Sequence, residues 1–169
     1  MSKPVDGTYP PYFKNYIDLV VEDNLKDALK NQESDINNFF ASIPEAKSNE
    51  AYAPGKWTLK ELLQHIIDTE RIFNYRALAF ARKEYNSLPG FDENEYAANS
   101  DANNRNWKDL CEELIAVRKA TVFLFNSFTE DVLHNSGLAN NKPVTVLALG
   151  YVIAGHFIHH KIIAKERYL

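Results

Sequence analysis

The chain has 169 residues, of which 45% are hydrophobic and 25% are charged, and its formal net charge is -4 at pH 7. This length and composition are typical of one globular domain, which we place at residues 1–169. The acidic balance and the lack of a basic stripe argue against binding to nucleic acid or to an anionic lipid surface. The single cysteine, Cys111, cannot form an internal disulfide, so a reducing cytoplasm is the expected location.

The N-terminal segment is polar and rich in proline, unlike the basic head and apolar run of a secretion signal. No stretch approaches the roughly 20 apolar residues that span a bilayer. A membrane protein is therefore not expected. Aromatic residues follow at once, and we expect this arm to pack on the rest of the domain in an ordered way. Its apolar residues are Tyr9, Tyr12, Phe13, Tyr16 and Ile17.

The first two helical patterns cover residues 24–43 and residues 58–83. In the first, apolar residues recur every three or four positions, and Pro44 is expected to end the helix. The second opens on a capping box, in which Thr58 and Glu61 each bond to the other's backbone N–H. The connection that follows, residues 84–105, is long for a helical bundle, and long connections are often functional.

The third helical pattern begins near Asn106 and reaches Phe128, and the fourth begins near Thr145 and runs to the C-terminus. No comparable strand pattern appears, since no alternating run is flanked by a tight-turn pair such as Asn-Gly. Four long amphipathic helices in one small domain predict an all-α four-helix bundle, with an ordered N-terminal arm and a long loop between its second and third helices. We expect Phe91 and Tyr96 of that loop to lie near the mouth of any site in the bundle.

Three of the five histidines lie in the fourth helical pattern, and the pair four residues apart, His156 and His160, shares the stripe predicted to face the core. His159 is the rival to His160, but it leaves that stripe. His65, beside the apolar face of the second helix, would supply a third imidazole. A lone histidine in a helix is more often a core or surface residue, and His134 is expected to be one in a loop. Two buried imidazoles need partners or an ion, which favours a metal site.

Two separated segments carry a recognisable pattern. The first is GKWTLKELLQHIIDTER, residues 55–71, followed by YRAL at residues 75–78. The second runs from Ala154-Gly155-His156 to Arg167-Tyr168-Leu169. Together they resemble the DinB-like superfamily, and within it the YfiT-type metal-dependent hydrolases and the bacillithiol or mycothiol transferases. The resemblance implies a four-helix bundle and a divalent ion, zinc or nickel, bound by His65, His156 and His160. It also implies a homodimer.

The resulting hypothesis is a metal-dependent enzyme of the thiol S-transferase or hydrolase type that acts on a small molecule, with a low-molecular-weight thiol as a candidate co-substrate. The alternative is a stress-associated protein whose metal only stabilises the fold. Asp68 could orient His65, and Arg167 could bind a carboxylate of the thiol or merely complement the helix dipole. For Asp68, Glu70 and Arg71, an ordinary ion-pairing helix face is an equally good interpretation.

Overall fold

Four long helices carry most of the computed structural model, which describes residues 3–169. Each is preceded by an N-cap residue whose side chain accepts a hydrogen bond from a backbone N–H of the first turn. These N-cap residues are Asn24, Thr58, Asn106 and Thr145. These four helices, which pack on one another, confirm the predicted four-helix bundle. The helices are α2 (Leu25–Phe40), α4 (Leu59–Ala81), α6 (Trp107–Asn126) and α8 (Val146–Arg167).

The four long helices begin one residue after the predicted starts and end two or three residues before the predicted ends. The capping box at the start of α4 is present, with the Thr58 hydroxyl accepting from the Glu61 N–H and the Glu61 carboxylate accepting from the Thr58 N–H. At its other end α4 stops at Ala81, because Lys83 adopts a left-handed backbone with φ of 64°. The first long helix ends at Phe40, four residues before Pro44.

The long helices form a closed ring of neighbours around the core. The helix α4 packs on α6 and on α8, and α2 packs on the same two helices from the other side. By length and composition α8 could cross a membrane, contrary to our expectation from the sequence, but 72% of its most apolar window is buried inside the protein. We therefore interpret α8 as the central core helix of the bundle.

The N-terminal arm is ordered against α8, as predicted. It forms a 3-10 turn (Pro11–Phe13) and a short helix, α1 (Lys14–Ile17), which packs on α8. Gly155 permits this approach, since a Cβ atom there would lie 1.9 Å from the Tyr16 carbonyl oxygen. The arm therefore passes directly over the turn of α8 that carries the first histidine of the predicted pair.

The remaining short elements connect the bundle helices. The helix α3 (Glu45–Ser48) precedes α4, and α7 (Glu130–Leu133) follows α6. The long connection between α4 and α6 is structured, with α5 (Glu93–Asn99) and a second 3-10 turn (Ala102–Asn104). Asp92 caps α5 by accepting from two backbone N–H groups.

A two-stranded antiparallel hairpin precedes α8, which corrects our expectation that the chain has no strands. Its strands are β1 (Ser136–Ala139) and β2 (Lys142–Thr145), and a two-residue turn joins them. The turn residues, Asn140 and Asn141, both have positive φ, and asparagine tolerates this backbone almost as well as glycine. The Leu88 backbone bonds to the hairpin, which fixes the α4–α6 connection over that end of the bundle.

Candidate metal centre

Three imidazole rings converge between α4 and α8. The Nε2 atom of His156 lies 3.0 Å from the Nε2 atom of His65 and 3.0 Å from that of His160. One nitrogen of each ring falls within 4.8 Å of the others. The sequence therefore selected the three histidines that the fold brings together.

Helical spacing explains why His160, and not His159, joins this cluster. Residues four apart lie one above the other on a helix, so His156 and His160 share one face of α8. His159 lies about 100° around the helix from His160. Its ring packs edge-on against Tyr16 of the arm, with 5.3 Å between ring centroids.

Burial keeps all three rings neutral in the ion-free protein. His156 and His160 are 6% and 8% exposed, and His65 is half-buried. Loss of hydration, with the nearby His159 charge as a second cause, lowers the pKa of His65 to about 4. Burial first, and the neighbouring histidines second, hold the pKa of His156 and His160 well below the ordinary value. Neutral imidazoles have the lone pairs that metal binding requires.

The cluster fits a metal ion better than it fits hydrogen bonding among its own members. A neutral imidazole nitrogen carries either one hydrogen or one lone pair, so His156 Nε2 cannot form full hydrogen bonds with both neighbours. His160 Nδ1 is buried and has no hydrogen-bond partner among residues 3–169. Nitrogen ligands bound to zinc at tetrahedral positions lie about 3.3 Å from one another, close to the spacing seen here.

The histidines form one wall of a cleft of about 310 Å³ that opens to solvent. The arm and the α4–α6 connection supply the opposite walls, so two segments that are remote in sequence enclose the cluster. Phe91 lines this cleft, as predicted, whereas Tyr96 packs on the far side of the Phe91 ring and lines a neighbouring groove. Other side chains of the cleft are Tyr12, Phe13, Tyr16, Trp57, Thr69, Phe73 and Glu93.

The group nearest the second nitrogen of His65 is Thr69, with 3.5 Å between its Oγ1 atom and His65 Nδ1. Asp68, our candidate from the sequence, instead accepts a hydrogen bond from the Gln64 amide at 2.8 Å. Residues three and four positions along a helix are both near neighbours, so spacing alone did not distinguish Asp68 from Thr69. Burial raises the pKa of Asp68.

The other sequence candidates lie away from the cleft. Glu70 is 3% exposed and forms a bidentate ion pair with the fully buried Arg118 of α6. Glu70 therefore neither belongs to an exposed ion-pairing face nor orients a histidine. Arg71 pairs with Glu113 near the surface. Arg167 is exposed in the last turn of α8, a position that suits the helix dipole.

Sequence reasoning missed two aromatic side chains that touch the histidines. Trp57 lies against His65, with ring centroids 4.9 Å apart, and Tyr16 lies 5.5 Å from the ring of His156. In the sequence, Trp57 only precedes a helix cap and Tyr16 only belongs to an aromatic arm, so neither pattern points to a histidine. His134 is exposed at the end of α7, as expected for a residue without a role in the site.

Comparison with known proteins agrees with this fold. A family model described as the DinB superfamily matches residues 28–164. No curated protein matches the chain in sequence. Among solved structures, YfiT from Bacillus subtilis, described as a probable metal-dependent hydrolase with an unusual four-helix bundle topology, aligns with a TM-score of 0.74 and 14% identity. The alignment covers 97% of this chain and 90% of YfiT. Because the family model spans most of its length, the chain belongs to the DinB superfamily.

Proposed function

We propose that this protein is a metal-dependent enzyme of the hydrolase or thiol S-transferase type, with zinc or nickel bound by His65, His156 and His160. The observation that carries this proposal is the convergence of three neutral imidazoles on the wall of a solvent-open cleft. Three protein ligands leave at least one coordination position for water or substrate, which is the pattern of catalytic sites.

A divalent ion in this position would lower the pKa of a bound water or thiol and so supply a nucleophile near neutral pH. The residues of the chain hold and shield that site. Thr69 restricts the orientation of His65, and the rings of Trp57 and Tyr16 exclude water from one side of the histidines. Glu93 places a carboxylate in the same cleft and is our candidate for the group that accepts a proton from the nucleophile.

The alternative is a purely structural metal. One observation favours it, because an ion bound by His65 and His156 would join α4 to α8. Structural zinc sites, however, usually have four protein ligands, and the described residues bring only three donors together. The open cleft therefore favours catalysis.

Fewer observations bear on the choice between hydrolase and transferase activity. The description of YfiT as a probable metal-dependent hydrolase supports hydrolysis. The thiol co-substrate comes only from the family resemblance of the sequence. A homodimer, on the same basis, and a small-molecule substrate complete the proposal, together with a cytoplasmic location that rests on the single cysteine, Cys111.

The first experiment measures metal content in protein purified without a histidine tag. We expect about one divalent ion per chain in the wild type, little in His160→Ala and a full complement in His159→Ala, because only His160 shares the histidine face of α8. The loaded protein is then assayed with activated esters and with thiol plus electrophile.

Each result decides a separate point. Loss of the ion in His159→Ala together with its retention in His160→Ala would show that the ligand assignment is wrong. Retention of the ion in both variants would show that the proposed three-histidine metal site is wrong. Full metal content with no turnover in either assay, and a large loss of stability on chelation, would favour the structural alternative.

A further inference from the structure

Arg76 places a buried positive charge beside the histidine cleft. The residue is 6% exposed, and within residues 3–169 its one hydrogen bond runs from Nη2 to the Pro89 carbonyl oxygen, at 2.7 Å. The ion pairs found in that part of the chain do not include it. Burial lowers its pKa, and the group that opposes this effect is the phenol of Tyr12. A buried charge without a counter-charge is costly, so a bound anion would relieve it.

The same face of α4 carries both Arg76 and the metal ligand. His65, Thr69, Phe73 and Arg76 follow one another at intervals of four, four and three residues, so they form one row along the helix. Eleven residues correspond to about 16 Å along the axis. Side chains on a helix lean toward its N-terminus, and the long Arg76 side chain therefore reaches back toward the histidines. Its Cζ atom lies 5.5 Å from the centre of the Phe73 ring.

A second cleft of about 200 Å³, which Arg76 lines, continues directly from the histidine cleft. The two share Phe73 of α4 and Phe91 of the α4–α6 connection, and Arg76 lies over both rings. They also share Tyr12 and Phe13 of the arm, and Glu93, an exposed carboxylate that forms no ion pair with Arg76 among the described residues. The imidazoles and the guanidinium group therefore line adjoining clefts that have aromatic walls in common.

We propose that the small molecule that reacts at the histidine site carries a carboxylate, and that Arg76 binds this carboxylate. A guanidinium group offers parallel N–H donors that match a carboxylate, and the aromatic walls suit an apolar body between the two ends. This role replaces the one that the sequence suggested for Arg167, which is exposed and does not line either cleft. The inference rests on the proposed function, whose substrate class it defines.

The test compares a carboxylate with its neutral isostere. We would titrate 3-phenylpropionate and 3-phenylpropionamide into the wild type, Arg76→Met, Arg76→Lys and Arg82→Met by calorimetry, with and without prior chelation. Arg82 is the matched control, because it is an exposed arginine at the end of the same helix. We expect the wild type to bind the acid about 10- to 100-fold more tightly than the amide, the ratio that charge-assisted hydrogen bonds provide.

Arg76→Met should abolish this preference, Arg76→Lys should reduce it, and Arg82→Met should leave it unchanged. All four proteins should contain the same amount of metal, a readout that tests the proposed function separately. Equal binding of acid and amide by the wild type would overturn the inference even if Arg76→Met fails to fold. So would a preference that survives in Arg76→Met. A preference that disappears on chelation would show that the carboxylate binds the metal and not Arg76.

Discussion

Two buried polar clusters lie on different faces of α4, and they differ in how completely their hydrogen bonds are satisfied. His65 faces α8, whereas Glu70, five residues on and therefore about 140° around the helix, faces α6. Both clusters place polar side chains in an apolar bundle. The comparison between them separates a polar group that serves the fold from one that is available to a ligand.

The two charged groups of the Glu70 cluster are fully hydrogen-bonded, and among the described residues the one unpartnered atom beside them is Oδ1 of Asn74, whose amide donates to Thr121. Arg118 donates from Nε and Nη2 to the two carboxylate oxygens of Glu70, each at 2.8 Å, and from Nη1 to Gln32. Thr121 donates to the same carboxylate, and the Gln32 amide continues the chain to the Ala154 carbonyl oxygen. The network thus links three helices to α4 with both charges compensated, which is what a structural role requires.

The histidine cluster is not saturated. His156 Nε2 lies 3.0 Å from two other ring nitrogens and cannot form a full hydrogen bond with both, and His160 Nδ1 is buried without a partner in the described chain. It also borders a cleft, whereas Glu70 and Arg118 line none of the clefts described above. We therefore expect mutations in the first cluster to change stability and mutations in the second to change ligand binding.

The largest effect is expected from Arg118→Met. This change leaves the Glu70 carboxylate buried without its partner, and loss of one member of a buried pair typically costs about 3–5 kcal/mol. Urea unfolding of the metal-loaded protein would measure the loss. Metal content of the folded fraction should change little, because the Arg118 hydrogen bonds go to Glu70 and Gln32 and not to a histidine.

Two controls make this prediction specific. Arg71→Met removes an arginine that is half-exposed and paired with Glu113, and such surface pairs contribute about 0–1 kcal/mol. In the double variant Glu70→Leu/Arg118→Met no charge stays buried, so much of the stability should return. A single Arg118→Met variant as stable as Arg71→Met would mean that the two clusters do not differ as argued.

For each histidine, a somewhat smaller effect is expected from pH in the chelated protein. Burial lowers the pKa of His65 to about 4 in the folded state and holds the pKa of His156 and His160 well below the reference of about 6.5. Below pH 6.5 the unfolded chain therefore binds protons that the folded chain does not. The free energy of unfolding should fall as pH drops from 6.5 to 4, by up to about 1.4 kcal/mol per pH unit for each neutral histidine.

The slope should be shallower in His160→Gln, because one buried neutral imidazole is removed. Urea unfolding at several pH values would measure it, and the difference between variants removes the common contribution of carboxylates. Identical slopes in wild type and His160→Gln would contradict the burial argument. With a divalent ion present the fall should be steeper, because protons and metal compete for the same nitrogens.

The sequence predicted the parts of this comparison that depend on helical period and capping. The four-residue spacing was enough to favour His160 over His159, and Thr58 with Glu61 located the start of α4. Long-range packing was not accessible in the same way. Glu70 looks like a surface residue in sequence, because only the fold shows that Arg118, 48 positions away, lies opposite.

The surroundings of the histidines were equally hidden. Arg76 was noticed only as part of a family-like segment, since its place in the cleft depends on the arm and on the α4–α6 connection. The hairpin was missed because its turn is Asn-Asn and not the Asn-Gly pair that we sought, although asparagine also tolerates positive φ. The place of Arg76 thus depends on segments far apart in the chain, whereas the hairpin is local and depends on its turn residues.

The smallest effect concerns the residue that orients His65, and Thr69→Val would test it. If Nε2 faces the ion, Nδ1 carries the hydrogen and the Thr69 hydroxyl is its nearest acceptor, at a long 3.5 Å. Valine keeps the shape and removes the acceptor. Since loss of such a group costs about 10–100-fold in metal affinity, and this contact is weak, we expect about tenfold at most.

Asp68→Asn is the matched control for Thr69→Val, because Asp68 is adjacent in sequence but accepts from Gln64. Its metal affinity, measured by competition with a chromogenic chelator, should equal that of the wild type. A larger loss in Asp68→Asn than in Thr69→Val would mean that the carboxylate turns to His65 when the ion binds. The spacing argument that first pointed to Asp68 would then be correct. The Asp68 carboxylate would orient His65 much as the Glu70 carboxylate holds Arg118.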